Sequence, residues 1–247
     1  MPKETSLDLC IPDFERWVEF VFDHPVSALP DDRWYWNGPD IVVSNPSLLL
    51  GHLTSLCLGF TGIASRFTLQ QIDQGIWFLL CEPVCAGKYL ADASVPLVLR
   101  LECVRSMFRI YADFVAKSKA EVMENCFDMW WDLVCGQFWS AVRWSRTDLE
   151  AFANCETLEA AERLTPKVRY ADLNKEERVV LDAMFEALAE TLKLGDERCE
   201  QYALHGLGHL HHPSVRDRVQ GFIETKRDKL TPGGLAWVES CRDGTVM

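Results

Sequence analysis

His205 and His209 stand four residues apart in the run Ala203-Leu-His-Gly-Leu-Gly-His-Leu-His-His-Pro213. On a helix that spacing puts both imidazoles on one face, where they can share a metal ion. His211 and His212 follow at the turn. A helical pair of this kind needs one or two further ligands, a carboxylate or a third His from another part of the chain. The zinc-protease pattern His-Glu-x-x-His is not met, because Gly206 follows His205. The reading drawn from the residues is a polar ridge on the exposed side of a helix, and a metal site on His205 and His209 is the weaker alternative. Cys81 and Cys85 are separated by three residues rather than two, and no second Cys pair has ligand spacing. No phosphate-binding Gly loop, Gly-x-Ser-x-Gly elbow or dinucleotide fingerprint occurs. No catalytic residue and no cofactor is expected.

A second candidate is the segment Asp31-Asp32-Arg33-Trp34-Tyr35-Trp36-Asn37-Gly38. Three consecutive aromatics cannot all face one core. Trp and Tyr at a surface are good binding anchors, and the two Asp would suit a basic partner. Asp31, Asp32, Trp34, Tyr35 and Trp36 are therefore candidate partner-binding residues, together with Glu176 and Glu177 of the acidic segment 151–200. The competing reading is that the loop packs down and staples the first helix onto the rest.

Helix signals position these groups. Pro12 precedes the stripe Phe14, Trp17, Val18, Val21 and Phe22. Asn45-Pro46 opens a helix to about residue 63, and Thr68 with Gln71 forms a capping box for the next. Ser94 is expected to cap a helix reaching about Lys117. Further helices are expected over 120–138 and 154–164. Asn174 with Glu177 opens another, stopped by Gly195, and Asp196 caps residues 197–210. Pro213 and Thr231-Pro232 open the last two, and residues 244–247 are expected to fray. Trp130 and Trp131 are adjacent on a helix and both fit a wide buried stripe. About ten helices with short connections predict an all-α fold in a single domain, an N-terminal helical part over 1–150 and a C-terminal part over 151–247.

Residues 199–228 carry Ala203, Leu204, Leu207, Gly208, Leu210, Pro213, Val215, Arg216, Val219, Phe222 and Ile223 in an order that resembles a HEAT-type repeat. The resemblance implies an irregular α-α superhelix of stacked helix pairs, a scaffold that binds other macromolecules. Gly206 and Gly208 allow close helix approach. Members of the family often carry Asp before the proline, where this chain has His212. Di-iron hydroxylases on HEAT-like scaffolds use His-Glu dyads, and this chain has no His-Glu or His-Asp pair. DNA glycosylases on such scaffolds use a basic groove, which the charge here opposes.

The 247-residue chain has a net charge of −12. Residues 1–40 carry 3 basic and 9 acidic side chains, and residues 151–200 carry 7 and 12. That balance argues against nucleic acid and against anionic membranes. Ile41–Ser65 holds no charged residue, yet its Pro, Asn and Gly content favours a buried helix over a membrane span. The N-terminal residues show no basic and apolar run of a signal peptide, so the ten Cys are read as reduced thiols in a cytoplasmic protein. The expectation is a non-enzymatic protein that binds a basic protein partner, most concretely an acidic immunity or antitoxin-type inhibitor. The alternatives are a metal-dependent enzyme built on His205 and His209, and a general helical scaffold.

Overall fold

A computed structural model describes residues 6–26, 33–36, 38–81, 84–118, 126–143 and 168–246. Asp31, Asp32 and the helix expected over 154–164 lie outside them. Among the described residues there are nine α-helices and two strands of two residues each. The helices are α1 (Phe14–Phe22), α2 (Pro46–Ala64), α3 (Leu69–Leu80), α4 (Leu97–Ile110), α5 (Asp128–Arg143), α6 (Lys175–Thr191), α7 (Glu197–Leu210), α8 (Val215–Lys226) and α9 (Pro232–Asp243). The fold is all-α.

Most helix starts follow from single polar side chains that satisfy first-turn N–H groups. Asp13 accepts from Arg16, and Asn45 accepts from Leu48 with Pro46 in the first turn. Thr68 and Gln71 make a reciprocal capping box, as do Asn174 and Glu177. Asp196 accepts from Arg198 and Cys199, and Thr231 accepts from Gly234. Ser94 does not cap α4. The helix starts at Leu97 with Pro96 in the capping position, because a residue before proline is kept out of helical conformation. After Ile110 the chain continues through a π-turn, Tyr111–Val115. The described part of the next helix begins at Asp128 and runs to Arg143, five residues past the expected end.

Strand β1 (Leu7–Asp8) pairs in parallel with β2 (Ile41–Val42), Leu7 opposite Ile41. The Asp8 carboxylate accepts the N–H groups of Cys10 and Ser44 and the Ser44 hydroxyl, which ties the N-terminal segment to the start of α2. Helix α2 is 19 residues long with a mean hydropathy of 1.5, long and apolar enough to cross a membrane, and half of it is buried here. It packs mainly against α4.

The helix contacts follow two series. Helix α4 packs against both α2 and α6, while α7 packs against both α5 and α9. Sequence neighbours α6 and α7 touch, as do α8 and α9. The core runs through both series and includes the fully buried Trp17, Trp130 and Trp131. Each large apolar side chain removed from water contributes on the order of 1.5–3 kcal/mol.

Helix α7 approaches its neighbours closely at two glycines. A Cβ on Gly206 would lie 2.5 Å from Cβ of Trp131 on α5 and 2.8 Å from Cδ2 of Leu188 on α6. A Cβ on Gly208 would strike Cγ1 of Val246 and lie 3.2 Å from Cα of Cys241 on α9. The close approach expected of both glycines is therefore present. Residues 244–246 do not fray as expected, and Met247 lies outside the described residues. Gly244, at φ +69°, closes α9, Thr245 N–H donates to Ser240 at 2.9 Å, and Val246 is buried against Gly208.

Candidate functional site

The crossing of α5 and α7 gathers four ionisable side chains. Asp128 and Asp132 are four apart on α5, and His205 and His209 are four apart on α7, so each pair shares one helix face. His205 Nδ1 lies 3.1 Å from Oδ1 of Asp128, within hydrogen-bonding distance. His209 Nδ1 lies 3.3 Å from Oδ1 of Asp132. The two imidazole rings meet edge to face, with centroids 5.0 Å apart. Asp132, His205 and His209 each offer one ligand atom, and these atoms lie within 4.8 Å of one another. The Nε2 of His209 is buried with no hydrogen-bond partner.

His205 is only 8% exposed and His212 9%, which corrects the exposed-ridge reading for those two, while His209 is half-buried and His211 is exposed. The cause is the close seat of α7: with hydrogen alone at positions 206 and 208, the helix sinks between α5, α6 and α9 and takes His205 with it. His209 and Asp132 remain half-buried.

Electrostatics split the two histidines. The hydrogen bond to Asp128 raises the pKa of His205, against the opposing effect of burial. Burial lowers that of His209, with Asp132 opposing and His205 adding to the decrease. A proton near neutrality therefore resides on His205 in preference to His209. The arrangement can act as an acid beside a neutral imidazole, or hold a divalent ion on Asp132, His205 and His209. Asp128 and Asp132 were not singled out in the sequence. The available signal was the matching helical spacing of Asp128-x-x-x-Asp132 and His205-x-x-x-His209.

His211 and His212 do other work. His211 ends α7 at φ 52°, its ring edge-on to Trp139. His212 Nδ1 accepts the N–H of Ser214 at 3.1 Å, which leaves Nε2 to donate to Asp182 Oδ1 at 3.0 Å. Its ring stacks on Phe185, and the Tyr170 hydroxyl donates to the same Asp182 oxygen at 2.8 Å. The imidazole thus accepts a backbone N–H at the entry to α8, a role open to a carboxylate at that position.

The predicted partner-binding residues divide. Trp34 stacks on His24 at 3.6 Å between centroids and packs on Phe20 and Phe78. Tyr35 is buried, its hydroxyl accepting from Arg33 at 3.1 Å. Trp36 is 45% exposed. Two of the three rings hold the loop to α1 and α3, and the third faces solvent. Glu176 ion-pairs with the buried Arg100 of α4. Glu177 accepts the Asn174 N–H at 2.8 Å. Both carboxylates thus have partners within the chain.

Cys81 and Cys85 are half-buried and join no group of three metal-ligating side chains among the described residues. Burial pushes the thiols of Cys103, Cys199 and Cys241 up to about 12, so they are protonated at neutral pH and poor nucleophiles. No family model, curated protein or solved structure matches this chain.

Proposed function

We propose that the chain is a short α-α superhelix of HEAT-like helix pairs, and that it acts by binding another protein. The observation that carries this reading is the division of the helix packing into two series. Among the described helices α2, α4 and α6 form one series of contacts and α5, α7 and α9 form another, with α8 packed chiefly on α9. Helices packed side by side in two series are what stacked helix pairs produce, and such stacks present continuous surfaces to macromolecules. The HEAT-like pair is then α7 and α8, joined at Pro213.

The partner is a basic protein, and the concrete form is an acidic inhibitor of the immunity or antitoxin type. The net charge of −12 supports it, since complementary charge speeds encounter and selects partners. The exposed Trp36, backed by Trp34 and Tyr35, is the anchor of that surface, with Asp31 and Asp32 beside it in sequence. The test is recovery of the tagged chain from its native cells at low and at high salt, beside a Trp36→Ala variant. A stoichiometric basic protein that is lost with salt and lost in the variant supports the reading. A partner indifferent to both salt and Trp36, or none at all, refutes it.

A further inference from the structure

The acid–histidine cluster has no part in that binding surface, and its chemistry is specific enough to name a ligand. Four observations converge on it. Three donor atoms from two packed helices already lie within 4.8 Å of one another. In a tetrahedral site with bonds of about 2.1 Å, ligand atoms are about 3.4 Å apart, so closure asks for shifts of an ångström or so. His209 and Asp132, only half-buried, are the side chains that would make them. Next, His209 Nε2 is buried without a hydrogen-bond partner, a cost that a cation coordinated by that nitrogen would relieve.

The third observation is Asp128. It occupies Nδ1 of His205 at 3.1 Å and leaves Nε2 as the nitrogen available to a ligand. A carboxylate behind a ligating imidazole fixes its tautomer and raises its basicity. Last, the donor set selects the metal. Two imidazoles and one carboxylate suit a borderline divalent transition ion, and they do not suit calcium or magnesium, which take oxygen shells.

We propose that the α5–α7 crossing binds one divalent transition-metal ion of the zinc or cobalt type. Its ligands are Nε2 of His205, a ring nitrogen of His209 and a carboxylate oxygen of Asp132, and Asp128 is the positioning residue behind His205. The partial exposure of His209 and Asp132 leaves the remaining coordination position to water. The ion bridges α5 to α7, so its binding adds to the stability of the fold.

The probe is Co2+ alone, titrated into tag-free, chelator-stripped full-length protein and followed by its visible absorption and by the melting temperature. One equivalent is expected to give the intense bands of low-symmetry cobalt and to raise the melting temperature. His209→Gln and Asp132→Asn are each expected to weaken binding at least about tenfold, and Asp128→Asn by about 10–100-fold. His211→Asn, which suits the left-handed backbone there, is expected to leave binding unchanged. Circular dichroism identifies any variant that does not fold, and the remaining variant of the first two then decides. Absence of the cobalt bands, uptake of several equivalents, or equal loss in His211→Asn would overturn the assignment. None of these readouts involves a protein partner, so this site stands or falls apart from the superhelical binding surface.

Discussion

The N-terminal half of the molecule buries a histidine on α2, and the C-terminal half buries one on α7. His52 is 5% exposed, with Nε2 at 2.8 Å from the Ile11 carbonyl and its ring against Phe14 and Trp17. His205 is 8% exposed, with a carboxylate on one nitrogen and a second histidine against its ring. Their burial is nearly the same. What differs is the neighbouring element: a loop carbonyl and two aromatic rings meet α2, while a helix carrying two Asp meets α7. A carbonyl in an aromatic box gives a packed, singly bonded imidazole. Two carboxylates give a site that can hold a proton or an ion. The chemical capacity of a histidine here is set by its neighbour rather than by its own helix.

The largest test of that contrast removes the close approach itself. Gly206→Val would force a branched side chain into Trp131 and Leu188, and a loss of about 3 kcal/mol is expected in urea unfolding. A variant that unfolds at the wild-type urea concentration would mean that α7 does not depend on hydrogen at that position. The next test is Asp128→Asn, for which about 2 kcal/mol is expected at pH 6. Asp128 raises the pKa of His205, so the pair's contribution is full below the ordinary imidazole value of 6.5 and is lost as pH rises through the raised value. The stability difference from wild type should therefore shrink between pH 6 and pH 8.5. A difference that grew with pH would break the comparison.

A smaller effect is expected of His52→Leu. It keeps the apolar contacts and leaves the Ile11 carbonyl without its partner, at a cost of about 1–2 kcal/mol, while cobalt binding is retained. Loss of cobalt binding in this variant would erase the distinction between the two histidines. The smallest change belongs to Trp36→Ala. At an exposed ring the stability should move by no more than about 0.5 kcal/mol, measured by thermal unfolding, even as partner recovery falls.

Helix starts were legible in the sequence because capping is local. Thr68 with Gln71, Asn174 with Glu177, and Asp196 act on N–H groups within three residues of themselves. Gly206 and Gly208 were legible too, since a glycine inside an apolar helical stripe has few uses apart from close packing. The cluster was only half legible. His205 and His209 declared a spacing, but Asp128 lies 77 residues from His205 and meets it only through tertiary packing. In Asp128-Met-Trp-Trp-Asp132 the two tryptophans dominate the pattern and conceal an acidic pair at helical spacing. The tail after Gly244 read as frayed because nothing local announces that Val246 fills the space above Gly208. His212 read as a departure from the repeat because residue identity stood in for function. Its Nδ1 supplies the acceptor that the turn requires.

The two glycines of α7 also fix how the chain can change its length. Each residue of a helix turns it by about 100°. One residue inserted between Cys199 and Gly206 would rotate the following turns as a unit. Side chains would then replace the glycines against Trp131 and Val246, while His205 and His209 would swing away from the acidic face of α5. Substitutions on the outer face of α7 are cheap by comparison, because they leave that rotation alone. The helix therefore tolerates changes of letter far better than changes of count, and insertions in this part of the chain are confined to the turns at either end of it.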